Sequence, residues 1–386
     1  MSQHLSRFPG VSRTRGTVVA VVVAAMLALG AASSVKAAEA VFDSSVGPLS
    51  VERMLDGLNE PWAVGFLPGG GYLVTERAGR LLHVGADGAV RAVAGLPEVR
   101  AQGQGGLLDV LVPRDFADSR EILISYAEPQ GRGAGTAVAA ARLSADGARL
   151  EGVRVLFRSA EGWSGGRHFG SRLAEGPEGH VFITTGDRGD DSSAQDRSNH
   201  NGAILRINRD GSVPGDNPFA GREGIRPEIW TWGNRNPQGL AFDADGRLWS
   251  TEHGPRGGDE LNLIEPGLNY GWPVIGEGVH YSGRPMPRGR DTEGMVRPVA
   301  HWSPALAPSG LAAYSGRLWP EWAGSLLIGS LQQDRILRVD PGAGFAEESL
   351  QAPQMARVRD VREAPDGSIW FLSVREGALF RIVPGG

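Results

Sequence analysis

One histidine lies in a loop rich in glycine, where its side chain is free to reach a ligand. His168 follows two glycines and an arginine in the stretch WSGGRHFGSRL, which covers Trp163–Leu173. An imidazole with a pKa near neutrality can accept a proton from a hydroxyl group. Because binding and catalytic side chains are concentrated on loops, the stretch indicates proton-transfer chemistry at His168. A histidine inside a strand or helix would instead be read as a packed side chain.

Three further loops place polar side chains among glycines and prolines. They are AQGQGGLLDV (Ala101–Val110) with Gln102 and Gln104, WGNRNPQGLAF (Trp232–Phe242) with Asn234, Arg235 and Asn236, and TEHGPRGGDELN (Thr251–Asn262) with His253, Asp259 and Glu260. Each loop, taken singly, could also be purely structural. Its amide side chains could form hydrogen bonds to the backbone of a turn, and its charged groups could be solvated or could form ion pairs. The joint occurrence of these loops beside short strands favours one shared site.

The sequence favours oxygen ligands over nitrogen or sulfur ligands for a bound metal. The chain contains no cysteine and no pair of histidines at zinc spacing, which argues against a zinc site. Calcium is bound by carboxylates and main-chain carbonyls, which glycine-rich acidic loops supply. Residues that fit such a site are Gly254, Pro255, Asp259, Glu260 and Tyr270.

The elements that must position these loops are short strands in a repeated pattern. A turn followed by an apolar or β-branched run recurs six times, as GGGYLVTE, SREILISY, EGHVFITTGD, DGRLWSTEHG, AGSLLIGS and DGSIWFLS. Such turns are hairpin signals, and the intervals suit the blades of a propeller with loops of variable length. We therefore predict an all-β, six-bladed β-propeller in one domain. A pair of β-sandwiches would need a linker, and a seventh blade would need GRLLHV or GAILRIN to be counted separately.

The N-terminal segment has the composition of a secretory signal peptide. Residues 1–38 combine three arginines, an apolar run and a small-residue pattern before the predicted domain at 39–386. An uncleaved membrane anchor is the alternative, although the run is short for a span. We expect an exported protein without stable membrane insertion, in the periplasm or secreted. Removal of the segment takes the formal net charge from −5 to about −9, which argues against a nucleic-acid partner.

The loops resemble those of the soluble quinoprotein sugar dehydrogenases, in particular the aldose sugar dehydrogenases that use pyrroloquinoline quinone (PQQ). The resemblance covers nearly all of the predicted mature chain. The motifs that carry it are GQGGLLD, GRHFGSRL, TTGDRGD, GNRNPQGLAF, EHGPRGGDE, NYGWP and PALAPSG. The family is itself built as a six-bladed propeller. The resemblance implies oxidation of aldose sugars at C1 to lactones, with PQQ and Ca²⁺ as cofactors.

The resemblance also implies roles for four polar residues of these loops. His168 corresponds to the general base that takes the proton of the C1 hydroxyl while hydride passes to the quinone. Gln104 corresponds to the glutamine beside quinone and substrate. Arg235 and Asn236 correspond to the pair that binds the quinone face and its oxygens.

Arginine and glutamine side chains near the C-terminus correspond to the groups that hold the carboxylates of PQQ. Arg357 and Arg359, in RVRD, match the two arginines of the family. Gln332, in GSLQQDR, stands where the family usually carries a lysine, and Lys36 is the only lysine in the chain. Glutamine brings no charge to a carboxylate, so this departure predicts weaker cofactor binding unless Arg335 contributes.

The remaining implied residues are calcium ligands and a substrate contact. Gly254 and Pro255 correspond to carbonyl ligands of the calcium that polarises the cofactor, and Glu260 and Tyr270 to a calcium site of the aldose branch. Trp302 precedes PALAPSG at the expected channel mouth and is predicted to contact substrate.

Two other functional classes remain open from the sequence. One is a calcium-dependent lactonase or esterase, which would require clustered Asn, Asp and Glu ligands in the channel. The other is a propeller that binds a ligand without a cofactor. The expected partners are an aldose substrate and a periplasmic electron acceptor, and a monomer is the default assembly.

Overall fold

The computed structural model describes residues 38–160, 163–286 and 294–385. The predicted signal peptide lies outside the described residues except for its last residue, Ala38, which begins the first strand. The described chain consists of strands with almost no helix. Its single short helix and three 3-10 turns are α1 (Phe116–Ser119) and the segments Asp191–Gln195, Pro320–Trp322 and Pro341–Ala343.

Twenty-five strands make up the described part of the chain. The first ten are β1 (Ala38–Ser44), β2 (Gly47–Leu55), β3 (Pro61–Phe66), β4 (Tyr72–Glu76), β5 (Arg80–Val84), β6 (Val90–Ala92), β7 (Leu107–Leu111), β8 (Glu121–Gln130), β9 (Gly133–Leu143) and β10 (Leu150–Arg158). The next eight are β11 (Leu173–Glu175), β12 (Val181–Thr185), β13 (Ala203–Ile207), β14 (Ile229–Trp232), β15 (Pro237–Phe242), β16 (Leu248–Glu252), β17 (Asp259–Ile264) and β18 (Ala300–Trp302). The last seven are β19 (Pro308–Ala313), β20 (Leu326–Ser330), β21 (Ile336–Asp340), β22 (Ala346–Leu350), β23 (Val358–Glu363), β24 (Ile369–Ser373) and β25 (Ala378–Pro384).

The strands form six antiparallel sheets arranged in a ring, which confirms the predicted six-bladed propeller. Five blades contain four consecutive strands each, namely β3–β6, β7–β10, β11–β14, β15–β18 and β19–β22. The sixth blade has the order β23-β24-β25-β2-β1, so the N-terminal strands complete the sheet that the C-terminal strands begin. Contacts between neighbouring first strands run round the whole ring, from β3 through β7, β11, β15, β19 and β23 back to β3.

The repeated phrases of the sequence are the second strands of the six blades. They fold as β4, β8, β12, β16, β20 and β24. Five of the six are buried at every residue, because both faces of a blade pack against neighbouring blades. The two phrases that would have allowed a seventh blade, GRLLHV and GAILRIN, contain β5 and β13, which are the third strands of their blades.

A cluster of buried charges joins the inner strands on the ring axis. The Arg172 guanidinium lies 3.2 Å from Asp109 and 3.0 Å from Asp360, and it covers the Trp62 ring at 4.3 Å. Arg362 pairs with the same two carboxylates at 2.9 and 3.0 Å. Burial lowers the pKa of Arg362, but the two carboxylates outweigh it, and the pKa is raised overall. These four side chains are called the axial charge cluster below, and they tie blades that are distant in sequence.

No helix among the described residues is long and apolar enough to cross a membrane.

Removing one member of the axial charge cluster should destabilise the fold strongly. Arg172→Ala leaves Asp109 and Asp360 sharing one guanidinium, and loss of one partner of a buried ion pair costs about 3–5 kcal/mol. The matched control is Arg149→Ala, whose pair with Glu151 lies at the surface and should change the free energy of unfolding by less than about 1 kcal/mol. Urea denaturation measures both, and equal effects of the two substitutions would contradict the assigned role of the cluster.

Candidate functional site

A cavity of about 220 Å³ opens at one end of the central channel. It lies where the first strands of the blades begin and the second strands end, since antiparallel neighbours bring these termini together. The residues that line it are Glu60, Pro61, Trp62, Arg77, Gly103, Gln104, Leu108, Phe169, Gly170, Asn236, Gln238, His253, Leu331, Arg357, Arg359 and Val374. Four predicted cofactor residues, Gln104, Asn236, Arg357 and Arg359, are therefore brought together.

Close backbone approach joins the Gln104 loop to the His168 loop beside this cavity. The Gln104 main-chain N–H donates to the Gly166 carbonyl at 2.7 Å, and the Gln104 side-chain oxygen accepts from the His168 N–H at 2.7 Å. A Cβ atom at Gly103 would overlap the Gly166 carbonyl oxygen. The glycines flanking the two polar residues thus permit a loop contact that any larger residue would prevent.

His168 is buried and is hydrogen-bonded to a carboxylate, which in turn accepts a hydrogen bond from an indole. Its Nδ1 lies 2.6 Å from Asp187 Oδ1, and Asp187 Oδ2 accepts the Trp272 indole N–H at 2.9 Å. Burial raises the pKa of Asp187, but the His168 bond outweighs it, so the pKa is lowered overall. An ionised carboxylate only accepts hydrogen bonds, so Nδ1 of neutral His168 donates. Its Nε2 then carries the lone pair that can accept a proton.

Two arginines of the cavity, Arg357 and Arg359, form no ion pair with a described carboxylate, whereas Arg77 pairs with Glu60 at 2.6 Å. Arg359 donates to the Gln238 side-chain oxygen at 2.9 Å, and Arg357 donates to the Leu331 carbonyl at 3.3 Å. Burial, reinforced by the charge of Arg357, lowers the pKa of Arg359 to about 9. A bound anion would offset that cost, because guanidinium groups pair carboxylates in two-pronged geometry. The cavity is therefore suited to a planar polyanion beside the Trp62 ring.

Arg235 spans the space between the channel and a second, smaller cavity. Its Nη1 donates to the carbonyls of His253 and Gly254 at 3.2 and 3.1 Å, and its guanidinium lies 5.2 Å from the Trp272 ring centre. Its neighbour Asn236 accepts the Gly170 N–H through its side-chain oxygen at 3.1 Å. Arg235 and Asn236 thus flank the His168 loop from the adjoining blade.

Of the five residues predicted to fit a calcium site, Gly254, Pro255, Glu260 and Tyr270 line the smaller cavity, whereas Asp259 does not and accepts the main-chain N–H groups of Gly254 and Ala307. The volume of this cavity is about 10 Å³, which suits about one water-sized species. The lining residues are Arg235, Glu252, His253, Gly254, Pro255, Gly258, Glu260, Tyr270, Trp272, Ile275, Gly276 and Glu277. Among the described residues no group of three or more His, Asp or Glu side chains is arranged as a metal site, so a cation here would need carbonyl oxygens as well.

Two buried carboxylates face each other across the strands beside this cavity. Glu252 of β16 pairs in register with Glu260 of β17. Burial raises the pKa of Glu252 to about 7, and burial together with the Glu252 charge raises the pKa of Glu260 well above its usual value. The side-chain oxygens of Asn234 and Asn262, whose amides donate to Glu252, have no hydrogen-bond partner among the described residues. Buried acidic and amide oxygens of this kind are the donor set of a hard cation.

Four residues predicted to contact cofactor or substrate do not line the central cavity. His168 and Arg235 are chain neighbours of the lining residues Phe169 and Asn236, whereas Gln332 and Trp302 point elsewhere. Gln332 is exposed, while the neighbouring Leu331 lines the cavity in its place. Arg335 donates to Ser349 at 3.3 Å, so it does not contribute the missing charge. Trp302 packs in the core between blades and donates its indole N–H to Glu347 at 2.7 Å. Its position gives no basis for substrate contact.

Three residues of the site were missed by reasoning from residue types. Asp187 lies in TTGDRGD and Trp272 in NYGWP, and both motifs stood out in the sequence without a chemical role for these residues. Trp62 is the second residue of β3 and belongs to its apolar run, so its residue type predicts a core side chain. Asp187 lies only 19 residues after His168 in the chain, but no rule of sequence spacing predicts their contact.

Comparisons of sequence and of structure both show that the chain is similar to sugar dehydrogenases. Residues 58–381 match the family model described as glucose/sorbosone dehydrogenase. The aldose sugar dehydrogenase YliI of Escherichia coli K12 is 41% identical over 345 residues, which cover 87% of this chain and 93% of that protein. A crystal structure of a glucose dehydrogenase superposes with a TM-score of 0.83 at 44% identity, covering 87% of this chain and 99% of that one. The PQQ-bound aldose sugar dehydrogenase of Streptomyces coelicolor superposes with a TM-score of 0.72 at 28% identity, covering 87% and 98%.

The bond between Asp187 and His168 should contribute to stability in a pH-dependent way. Because the pKa of Asp187 is lowered in the folded state, its contribution is present above the usual aspartate pKa and is lost as pH falls through the lowered value. Asp187→Asn should therefore lower the free energy of unfolding by about 1–3 kcal/mol at pH 7, with a smaller difference below about pH 4. Chemical denaturation across pH 3–7 measures this, and a constant difference would contradict it.

Proposed function

The chain belongs to the glucose/sorbosone dehydrogenase family, and on that premise we propose that it oxidises aldose sugars at C1 to lactones, with PQQ and Ca²⁺ as cofactors. The observation that carries the proposal is the pairing of His168 and Asp187 beside a cavity where Arg357 and Arg359 form no ion pair with a described carboxylate. The first feature suits proton removal from a hydroxyl group, and the second suits a polycarboxylate cofactor.

The donors of the central cavity fit PQQ, which is a planar tricarboxylate. Arg357 and Arg359 would hold its carboxylates, and the amide groups of Gln104 and Asn236 would bond its oxygens. The Trp62 ring and the Arg359 guanidinium, 5.8 Å apart, give the cavity an aromatic wall beside a cationic one. When bound, PQQ supplies the two-electron acceptor that the side chains of this protein lack.

His168 would act as the base on the sugar. Asp187 fixes the tautomer in which Nδ1 donates, so Nε2 is left to accept the proton of the C1 hydroxyl. Trp272 holds the other carboxylate oxygen and thereby the ring orientation. The bonds to Gln104 fix the loop that carries His168, so little reorganisation accompanies proton transfer.

The smaller cavity would hold calcium through Glu260 and Tyr270, and the carbonyls of Gly254 and Pro255, which also line it, would bind the calcium that polarises the cofactor. The facing pair Glu252 and Glu260 supports this assignment, since a divalent cation would relieve their mutual repulsion. Calcium at Gly254 and Pro255 would act as a Lewis acid toward the cofactor.

The setting of the reaction is also part of the proposal. Residues 1–38 would export the protein, which would then pass electrons to a periplasmic carrier as a monomer. The hydrolase alternative requires clustered carboxylate and amide ligands in the main channel. The central cavity is lined by a single carboxylate, Glu60, which already pairs with Arg77, and Arg357 and Arg359 add two further positive charges, which favours the quinoprotein proposal.

Substitution of the base should remove turnover and spare the cofactor. In the wild type, we expect aldose oxidation with a dye acceptor to require both PQQ and calcium. His168→Gln should lower kcat at least about a hundredfold, because general-base catalysis contributes about 10²–10⁴-fold. PQQ binding, followed by absorbance, should stay within about threefold of the wild type, because carboxylates are held by arginine forks rather than by His168.

The two arms of this experiment separate the alternatives. No sugar oxidation by the wild-type protein saturated with PQQ and calcium would contradict the proposed function. Unchanged kcat in His168→Gln would leave the function standing and overturn the role of His168.

Calcium should stabilise the protein through the facing carboxylates. A ligand at a hundred times its Kd adds about 2.7 kcal/mol to the free energy of unfolding, so Ca²⁺ should raise Tm by several degrees. Glu260→Gln should abolish most of the increase, whereas Glu151→Gln at the surface should keep it. Differential scanning calorimetry with and without calcium measures the shift, and an equal shift in both variants would refute the assigned site.

A further inference from the structure

Tyr281 is the one tyrosine of this protein whose ring lies at the surface. The chain has five tyrosines, all within the described residues, and Tyr281 is 64% exposed. The other four, Tyr72, Tyr126, Tyr270 and Tyr314, are buried. A large aromatic ring that stays exposed gains no free energy from burial, and aromatic rings are enriched at binding surfaces. The exposure of Tyr281 therefore indicates a binding role.

A short turn holds Tyr281 at the rim of the site. Val279 pairs with both Arg256 and Pro285, and the His280 N–H donates to the Arg284 carbonyl at 2.8 Å. A further bond runs from the Gly283 N–H to the His280 carbonyl at 2.8 Å. The backbone on either side of Tyr281 is therefore fixed, and the ring is presented by a closed turn.

The ring is connected to His168 by a continuous set of contacts. The Tyr281 hydroxyl accepts from Arg235 Nη2 at 3.3 Å, and the Arg235 guanidinium lies 5.2 Å from the Trp272 ring centre. Trp272 in turn donates to Asp187, which holds His168. Tyr281 does not line the cavity assigned to PQQ, so its ring lies outside that cavity on the side of Arg235.

The chemistry around the ring suits the face of a sugar. The guanidinium groups of Arg235 and Arg256 each lie 6.0 Å from the ring centre, and most of the residue is still exposed. A pyranose ring offers an apolar face of C–H groups bordered by hydroxyls. An aromatic ring packs against such a face, while neighbouring guanidinium groups donate hydrogen bonds to hydroxyl oxygens.

We propose that Tyr281 is the platform on which the aldose ring stacks, with Arg256 donating to its hydroxyl groups. This inference rests on the proposed sugar oxidation and names the residue that binds the pyranose. Tyr281 is thus a specificity-determining residue that acts in substrate binding, whereas proton transfer belongs to His168. The platform recognises the C–H face shared by many aldopyranoses, so it predicts a broad range of aldose substrates.

Steady-state kinetics on the enzyme loaded with PQQ and calcium provides the first test. Tyr281→Ala should raise KM for glucose roughly 5- to 10-fold with kcat within about twofold, because an aromatic contact of this kind binds ground state and transition state alike. Tyr281→Phe keeps the ring and should stay within about twofold of wild type in both constants. The matched control is Val41→Ala on the outermost strand β1, which is 61% exposed and should change neither constant.

Two kinetic outcomes would overturn the platform. One is an unchanged KM for glucose in Tyr281→Ala. The other is a raised KM for the dye acceptor alone, which would assign the ring to electron transfer.

Chemical labelling gives a readout that does not depend on turnover. Tetranitromethane should nitrate Tyr281 and spare the four buried tyrosines. The probe is 1,5-anhydroglucitol, a pyranose without the C1 hydroxyl, which stacks as glucose does and is not oxidised at C1. Saturating probe should slow nitration of Tyr281 at least about fivefold, as expected for more than 80% occupancy, and mass spectrometry of the peptide measures the rate.

The labelling result separates this inference from the proposed function. Protection in a protein that fails to oxidise sugars would support the platform and reject the oxidation. Unprotected Tyr281 in a protein that does oxidise sugars would reject the platform alone.

Discussion

The axial charge cluster is the constraint on which the rest of the structure depends. Asp109 and Asp360 share Arg172 and Arg362 on the ring axis, where an unmatched charge would be costly. Each member lies in or beside the first strand of a blade, so matching the charges fixes those strands relative to one another. Arg172 also covers the Trp62 ring, which lines the cavity above. The position of Trp62 in the cavity wall is therefore fixed by the same contacts that hold the blades together.

Loops from different blades form the rest of the site. The loops before β7 and β11 meet through the contact of Gly103 with Gly166, and the loop after β12 supplies Asp187 to His168. Trp272, from the blade that follows, completes the support of the carboxylate. Because each contact joins two elements of a rigid ring, the imidazole is oriented before a substrate arrives. This arrangement explains how a histidine on a glycine-rich loop can serve as a base.

The architecture could be predicted from the sequence because each second strand repeats the same turn and apolar run, and all six folded as expected. The polar loops could be recognised because they interrupt that repeat. Side-chain direction could not be predicted: Trp302 precedes a recognised loop, but its ring turns into the core to reach Glu347. Gln332 occupies a familiar position in its motif, yet the chain turns it to solvent. Asp187 gained its role only through a tertiary contact with His168.

Calorimetric titration of the calcium-loaded protein with PQQ, in the absence of sugar, tests most directly whether the central cavity binds the cofactor. We expect one binding site whose affinity falls at least about tenfold in Arg359→Ala, since loss of a charged hydrogen bond costs about 1.5–3 kcal/mol. Arg335→Ala, whose side chain donates to Ser349 instead of facing the cavity, should bind as the wild type does. Absence of binding, or equal affinity in wild type and Arg359→Ala, would contradict the claim that this cavity holds the cofactor.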